Sequence, residues 1–295
     1  MRTRRFLLGA CVPVTVACGG SEPPATAANP TTSPSPRAPT TEADATTGPK
    51  LVRAPESGGV VVFAASSLIN VFEQMWAAFK DQGGNPGVTI TANYGASSQL
   101  RTQLLEGANA DIFASADLLQ MELVAKAGLV DAEVTTIARN RLVAIVPRAN
   151  PGRIMALVDL AKPGVKFVTT PADVPAGAYT RAVLRKLASD PQFGEGYDTR
   201  VLANTVSEEA NVRQLVVKVQ LGEADAALCY ATDVAGVPAG EVAVIEIPDA
   251  ANVVAEYPIA VLKSAGSPAT ARRLIAFIRS PAGQAILASA GFRPA

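Results

Sequence analysis

A chain of 295 residues that is 48% hydrophobic and only 18% charged can build one large domain or two smaller lobes with real cores, and it is not disordered as a whole. Its 26 basic residues balance 26 acidic ones, and aromatics make up 5%. That argues against a polyanion footprint or a stacking platform for single strands, so no nucleic-acid partner is expected. Histidine is absent, which removes the commonest general base and every Ser-His or Cys-His mechanism.

In chain order the first element is a targeting segment. Arg2, Arg4 and Arg5 precede a short apolar stretch over 6–17, the pattern of a secretory signal and too short for a stable membrane span. It ends at "VTVACGGS", where Ala17-Cys18 resembles the lipoprotein cleavage site whose cysteine becomes acylated. Residues 1–17 are then the signal peptide and Cys18 the lipidation site. Thr15 departs from the leucine favoured three places before that cysteine. "LLGAC", ending at Cys11, fits better but leaves an apolar core too short for insertion. An ordinary cleaved signal with an incidental cysteine is the alternative. Cleavage before Cys18 leaves 23 basic and 26 acidic side chains, a net charge of −3. Cys229 is then a lone thiol, expected to pack as a small buried hydrophobe in "ADAALCY".

Next comes a tether. Residues 19–58 hold eight prolines, seven threonines, seven alanines and no aromatic, too little apolar surface to offset the entropy of ordering. Lipidated Cys18 with this spacer, 18–58, would anchor a globular body to the membrane without embedding it, on the extracytoplasmic side. One acyl chain binds marginally, so two or more are expected.

From Gly59 onward apolar runs alternate with helical periodicity. Strands are predicted at 60–64, 87–92, 110–114, 141–146, 165–169, 224–230 and 257–262. Helices are predicted at 67–80, 97–106, 117–127, 178–189, 212–221 and 268–279. The first helix rests on Leu68, Phe72, Met75, Trp76 and Phe79. Such alternation predicts an α/β protein with largely parallel sheets, whose ligands sit where strands end and helices begin.

Two such junctions echo each other. "FAASSL" (63–68) and "YGASSQL" (94–100) each run from a strand through two serines into a leucine-bearing helix. Alone, Ser67 or Ser97 reads as an N-cap. As a pair on adjacent strand-helix units, they would start two helices along one sheet edge. Free amides, hydroxyls and the positive ends of the helix dipoles would then converge on one small volume suited to an anion.

Together with "TTPADVPAGAYTRAVLRKL", "GEADAALCYATD" and "EYPIAVLKSAGSPATARRLIAFIRSPAGQAILASAGF", these motifs resemble the periplasmic molybdate-binding proteins, the substrate-binding components of molybdate ABC importers, from about Val60 to Phe292. The resemblance implies a two-lobed, type II-like periplasmic-binding-protein fold, each lobe a mostly parallel sheet flanked by helices, with the ligand in the interlobe cleft. Lobe one would be 59–143 with 258–295 and lobe two 144–257, crossing near "RLVAIVP" and "VVAEYPIA". It implies molybdate or tungstate held by neutral donors: the hydroxyls and amides of Ser67 and Ser97, the amides of Ala176 and Val212, and the phenol of Tyr230. The metal would be held only through its oxygens, and no cofactor is implied. A monomer serving an ABC permease and its ATPase is implied too; the chain carries no nucleotide loop of its own. Val212 donates only if its helix begins late, with Asn211 rather than Ser207 as cap. Ser66, where alanine would do, adds a donor or lines the site; Ala96 replaces a frequent serine.

Other readings are weaker. A Ser-Lys hydrolase would need a lysine near Ser67, and Lys80 lies roughly 20 Å along the helix. A cation site would need Asp111, Glu208, Glu209, Asp225 and Asp233 to converge, whereas these fit cap and surface positions. Sulfate, with the same charge and shape but shorter bonds, is the serious rival. A lipid-tethered sensory module with an unused cleft would leave its donors buried and unfilled.

Overall fold

The computed structural model describes residues 58–81, 84–131 and 133–295. The predicted signal, Cys18 and nearly all of the tether lie outside the described residues.

The first half runs β1 (Gly59–Ala65), a 3-10 turn (Ser66–Leu68), α1 (Ile69–Asp81), β2 (Thr89–Gly95), α2 (Ser97–Leu105), β3 (Ile112–Ala114), α3 (Leu118–Lys126) and β4 (Thr135–Asn140). The chain then enters a second sheet with β5 (Leu142–Pro147), β6 (Phe167–Thr169), α4 (Pro175–Ala188), α5 (Tyr197–Ala203), β7 (Thr205–Glu208), α6 (Val212–Gln220), β8 (Ala226–Tyr230), α7 (Ala231–Ala235) and β9 (Val242–Glu246). It returns through β10 (Ala255–Val261) and closes with α8 (Pro268–Arg279) and α9 (Pro281–Ser289).

The two sheets have matching plans. The first is ordered β2-β1-β3-β10-β4 and the second β7-β6-β8-β5-β9. In the first, β1 pairs parallel with β2 and β3, and β10 runs antiparallel to β3 and β4. In the second, β6 pairs parallel with β7 and β8, and β5 runs antiparallel to β8 and β9. The reversed strand of each sheet is the one arriving from the other sheet. The crossings fall at Arg141 and over 247–254.

Burial explains which strands the sequence announces. Those inside a sheet, such as β5 and β8, are buried along their whole length and read as unbroken apolar runs. The three strands absent from the predicted set, β4, β7 and β9, are all edges. There β7 alternates half-buried and exposed residues, and β9 leaves Val244 exposed. The stripe Leu68, Phe72, Met75, Trp76 and Phe79 is buried as periodicity requires. Each such side chain contributes roughly 1.5–3 kcal/mol of burial. Cys229 is buried on β8, as expected. Among the described residues no helix is long and apolar enough to cross a membrane.

Candidate functional site

Four helix starts face one cavity at the carboxyl ends of the strands. After β1 the chain turns at Ala65, and after β2 at Ala96; both are N-caps without a side-chain hydrogen bond, since alanine has no oxygen to offer. Ser67 therefore sits inside the 3-10 turn and Ser97 is the first residue of α2. Neither serine is an N-cap, so the capping explanation for the pair fails on geometry.

In the second half, α4 begins three residues earlier than its periodicity predicts. Val174 is an uncapped N-cap, Pro175 takes the first helical position and Ala176 the second. Ala176 thus lies within the first turn, where amides have no intrahelical acceptor. At α6 the cap is Asn211, whose side-chain oxygen accepts from Arg213 N (3.0 Å) and Gln214 N (3.2 Å). The intrahelical ladder starts with Leu215 N donating to Asn211 O. The cap's bonds skip the Val212 amide, which stands at the first helical position; Ser207 lies in β7 instead.

These placements bring Ser67, Ser97, Ala176, Val212 and Tyr230 around one small cavity. Ser66 lines it too, and among the described residues no charged side chain does. Four helix starts together supply a positive potential without a cation.

The hydroxyls differ in what they bond to. Ser97 Oγ accepts from Ala116 N at 3.0 Å, which leaves its proton free. Ser67 Oγ and Tyr257 Oη are 3.1 Å apart. Tyr230 is 1% exposed, and its hydroxyl is buried with no partner among the described residues. Its ring stands edge-on between Tyr179 and Tyr257, with centroids at 6.3 and 5.8 Å. Burial, then the neighbouring phenols and acids, pushes the Tyr230 phenol well above its ordinary value, so it stays a neutral donor. Ser66 is 5% exposed and its hydroxyl makes no protein hydrogen bond among the described residues.

Charges stand just outside the lining. Arg213 Nε donates to Ser66 O at 3.3 Å and lies 3.9 Å from Asp233 Oδ1. Burial raises Asp233 to about 7, against the lowering effects of Arg213 and the Tyr230 amide. Gln120 Nε2 donates at 3.0 Å to Asp173 O, the backbone carbonyl one residue before the lining Val174. The other acids serve the scaffold: Asp111 accepts from Val61 N and Ser267 N, Asp225 from Lys166 N, and Glu208 pairs with Arg181. Glu209 accepts from Ser207 Oγ. Among the described residues no cluster of three or more metal-ligating side chains forms.

Sequence reasoning missed Tyr257, Ala116 and Arg213. Tyr257 reads only as one more residue of an apolar strand, and Ala116 acts through its amide. Arg213, beside a proposed donor, was the one with a usable signal.

A family model of bacterial extracellular solute-binding proteins matches residues 60–293. The molybdate-binding protein ModA of Mycobacterium tuberculosis (strain H37Rv) is 42% identical over 233 residues, covering 79% of this chain and 84% of that protein. The solved periplasmic molybdate-binding protein of Azotobacter vinelandii shares the fold at a TM-score of 0.67, with 21% identity over 79% of this chain and 98% of its own. The sulfate-binding protein SubI of Mycobacterium tuberculosis shares it at 0.72, with 19% identity over 80% and 86%.

Proposed function

The chain belongs to the bacterial extracellular solute-binding protein family together with its ModA relatives, and from that premise we propose that it captures molybdate, and tungstate with it, outside the cytoplasm for an ABC importer. The ligand is a tetrahedral dianion, and the proposed site meets it with OH and NH dipoles alone. Ser67, Ser97 and Tyr230 donate hydroxyl protons; Ala176 and Val212 donate amides; Ser66 adds a sixth donor. One observation carries the reading: Tyr230, whose hydroxyl is buried without a partner among the described residues, lines a cavity rimmed by helix starts and, among those residues, free of charged side chains. Leaving such a donor unfilled costs about 1–3 kcal/mol, which an anion oxygen recovers.

Selectivity follows from fixed positions. Sulfate has shorter central bonds, so an anion of its size cannot reach every donor at hydrogen-bonding distance. Both halves contribute donors, so the ligand favours the closed arrangement and shifts the population toward it. We take the halves as lobes 59–143 with 258–295, and 144–257, each boundary shifted by two to three residues to the crossings at Arg141 and over 247–254. The protein acts as a monomeric carrier rather than an enzyme, docks on a permease served by an ATPase, and is held at the membrane by lipid on Cys18.

Isothermal titration of the mature chain with molybdate, tungstate and sulfate tests the ligand. Saturable heats for the first two and at least about tenfold weaker binding of sulfate are expected; equal affinities would defeat the selectivity. Labelled fatty acid should be lost from Cys18→Ser and kept in Cys11→Ser; the reverse would move the anchor.

A further inference from the structure

Arg213 stands one residue from a proposed donor, Val212, and its side chain reaches the backbone beside another, Ser67. We propose that Arg213 is a positioning residue of the anion site, a latch that crosses between the two halves and holds the donors together without touching the ligand. This rests on reading the cavity as an oxyanion site.

The geometry supplies three reasons. First, the bond from Arg213 Nε to Ser66 O joins residues 147 apart in sequence, one on α6 of the second half and one in the turn after β1. It forms only where those segments meet. Second, the Ser66 carbonyl and the Ser67 amide belong to one peptide unit. A cationic donor on the carbonyl polarises that unit and strengthens the Ser67 N–H as a donor toward the cavity. The arginine therefore lends positive charge through a peptide rather than by direct contact.

Third, the seam is shaped for the guanidinium. Gly236, at the end of α7, has an ordinary negative φ of −88°, so its backbone does not demand glycine. A Cβ there would stand 2.3 Å from Asn70 Nδ2 on α1 and 3.1 Å from Arg213 Nη1. Glycine leaves room for side chains from both halves to lie together. Asp233 Oδ1 is fully buried, has no hydrogen-bond donor and lies 3.9 Å from Arg213 Nε. It attracts the guanidinium whenever the carboxyl is ionised.

The test is molybdate binding and dissociation by titration and stopped flow, on wild type, Arg213→Ala, Arg213→Lys and Gly236→Ala, each with its melting temperature. Arg213→Ala should raise Kd about tenfold or more, since the lost bond has a charged donor. Nearly all of the change should appear as faster dissociation, because closure follows encounter. Arg213→Lys should recover part of the loss, since an ammonium still reaches the carbonyl. Gly236→Ala, which crowds Asn70 first and the guanidinium beside it without removing either, should also speed dissociation and remains informative if Arg213→Ala folds poorly. Unchanged dissociation in Arg213→Ala and Gly236→Ala at wild-type melting temperature would overturn the latch, as would a loss confined to slower association. A wild-type protein that retains none of molybdate, tungstate or sulfate would instead overturn the site reading, and the latch with it.

Discussion

The two halves reach the same cavity with different chemistry. The first presents hydroxyls, from Ser66, Ser67 and Ser97, on turns whose N-caps are alanines. The second presents backbone amides, at Ala176 and Val212, with one phenol from Tyr230. A hydroxyl belongs to a side chain and can be removed by substitution. An amide belongs to the fold and survives almost any substitution at its own position. The halves also differ in their buried acids. Asp117 in the first receives both Gln120 N and Ser115 Oγ on Oδ1, whereas Asp233 in the second buries Oδ1 with no hydrogen bond among the described residues.

The largest expected effect sharpens that last contrast. Asp233 is raised by burial from its ordinary 3.8 to about 7 in the folded state. Between those values the folded chain holds a proton that the unfolded chain has released. Its contribution to stability is therefore present below about pH 4 and lost as pH rises toward 7, by up to about 4 kcal/mol at 1.36 kcal/mol per unit. Urea unfolding at pH 5, 6 and 8 should show this slope flattened in Asp233→Asn; an unaltered slope would mean that the acid is not the group responsible.

Next come the donors of the second half. Tyr230→Phe should weaken molybdate binding by about 1.5–3 kcal/mol, while the free protein melts no lower because its own hydroxyl has no partner. Val212→Pro should cost a similar amount. Proline suits the first helical position, and Asn211 already has the extended conformation (φ −158°, ψ 170°) that a following proline requires. The N–H is lost while an apolar side chain still fills the position. Wild-type affinity in a folded Val212→Pro would remove that amide from the donor set.

The first half should answer with mixed signs. Ser97→Ala removes a donor and also orphans the Ala116 amide, so affinity and melting temperature should fall together, by about 1–3 kcal/mol each. Ser66→Ala breaks no protein hydrogen bond of its side chain and should lower affinity alone, by about 1 kcal/mol. A drop in melting temperature without one in affinity would make Ser66 structural. The smallest effect is expected at Val212→Ala, which keeps the amide. Titration should find Kd within about twofold of wild type while the lost burial lowers the melting temperature.

Much of this was legible in the chain itself. The alternation of apolar runs with the Leu68–Phe79 stripe specified strands, helices and the buried face, because local periodicity is written in side chains. The paired serines marked two strand ends, and the absence of histidine narrowed the chemistry. The edge strands β4, β7 and β9 were not legible, since a half-exposed strand mixes polar and apolar residues and its partner lies far off in sequence. At the site, the serines and Tyr230 carry recognisable donors, whereas Ala176 and Val212 came only through resemblance. Nothing in an alanine or valine reveals a free amide; that depends on where a helix starts and what its cap leaves unclaimed. Tertiary structure alone decided that Asn211 caps past Val212, that the Tyr230 hydroxyl has no partner, and that Arg213 meets a carbonyl 147 residues away. Side-chain sequence records local preference, but the vacancy of a hydrogen-bonding group is set by everything packed around it.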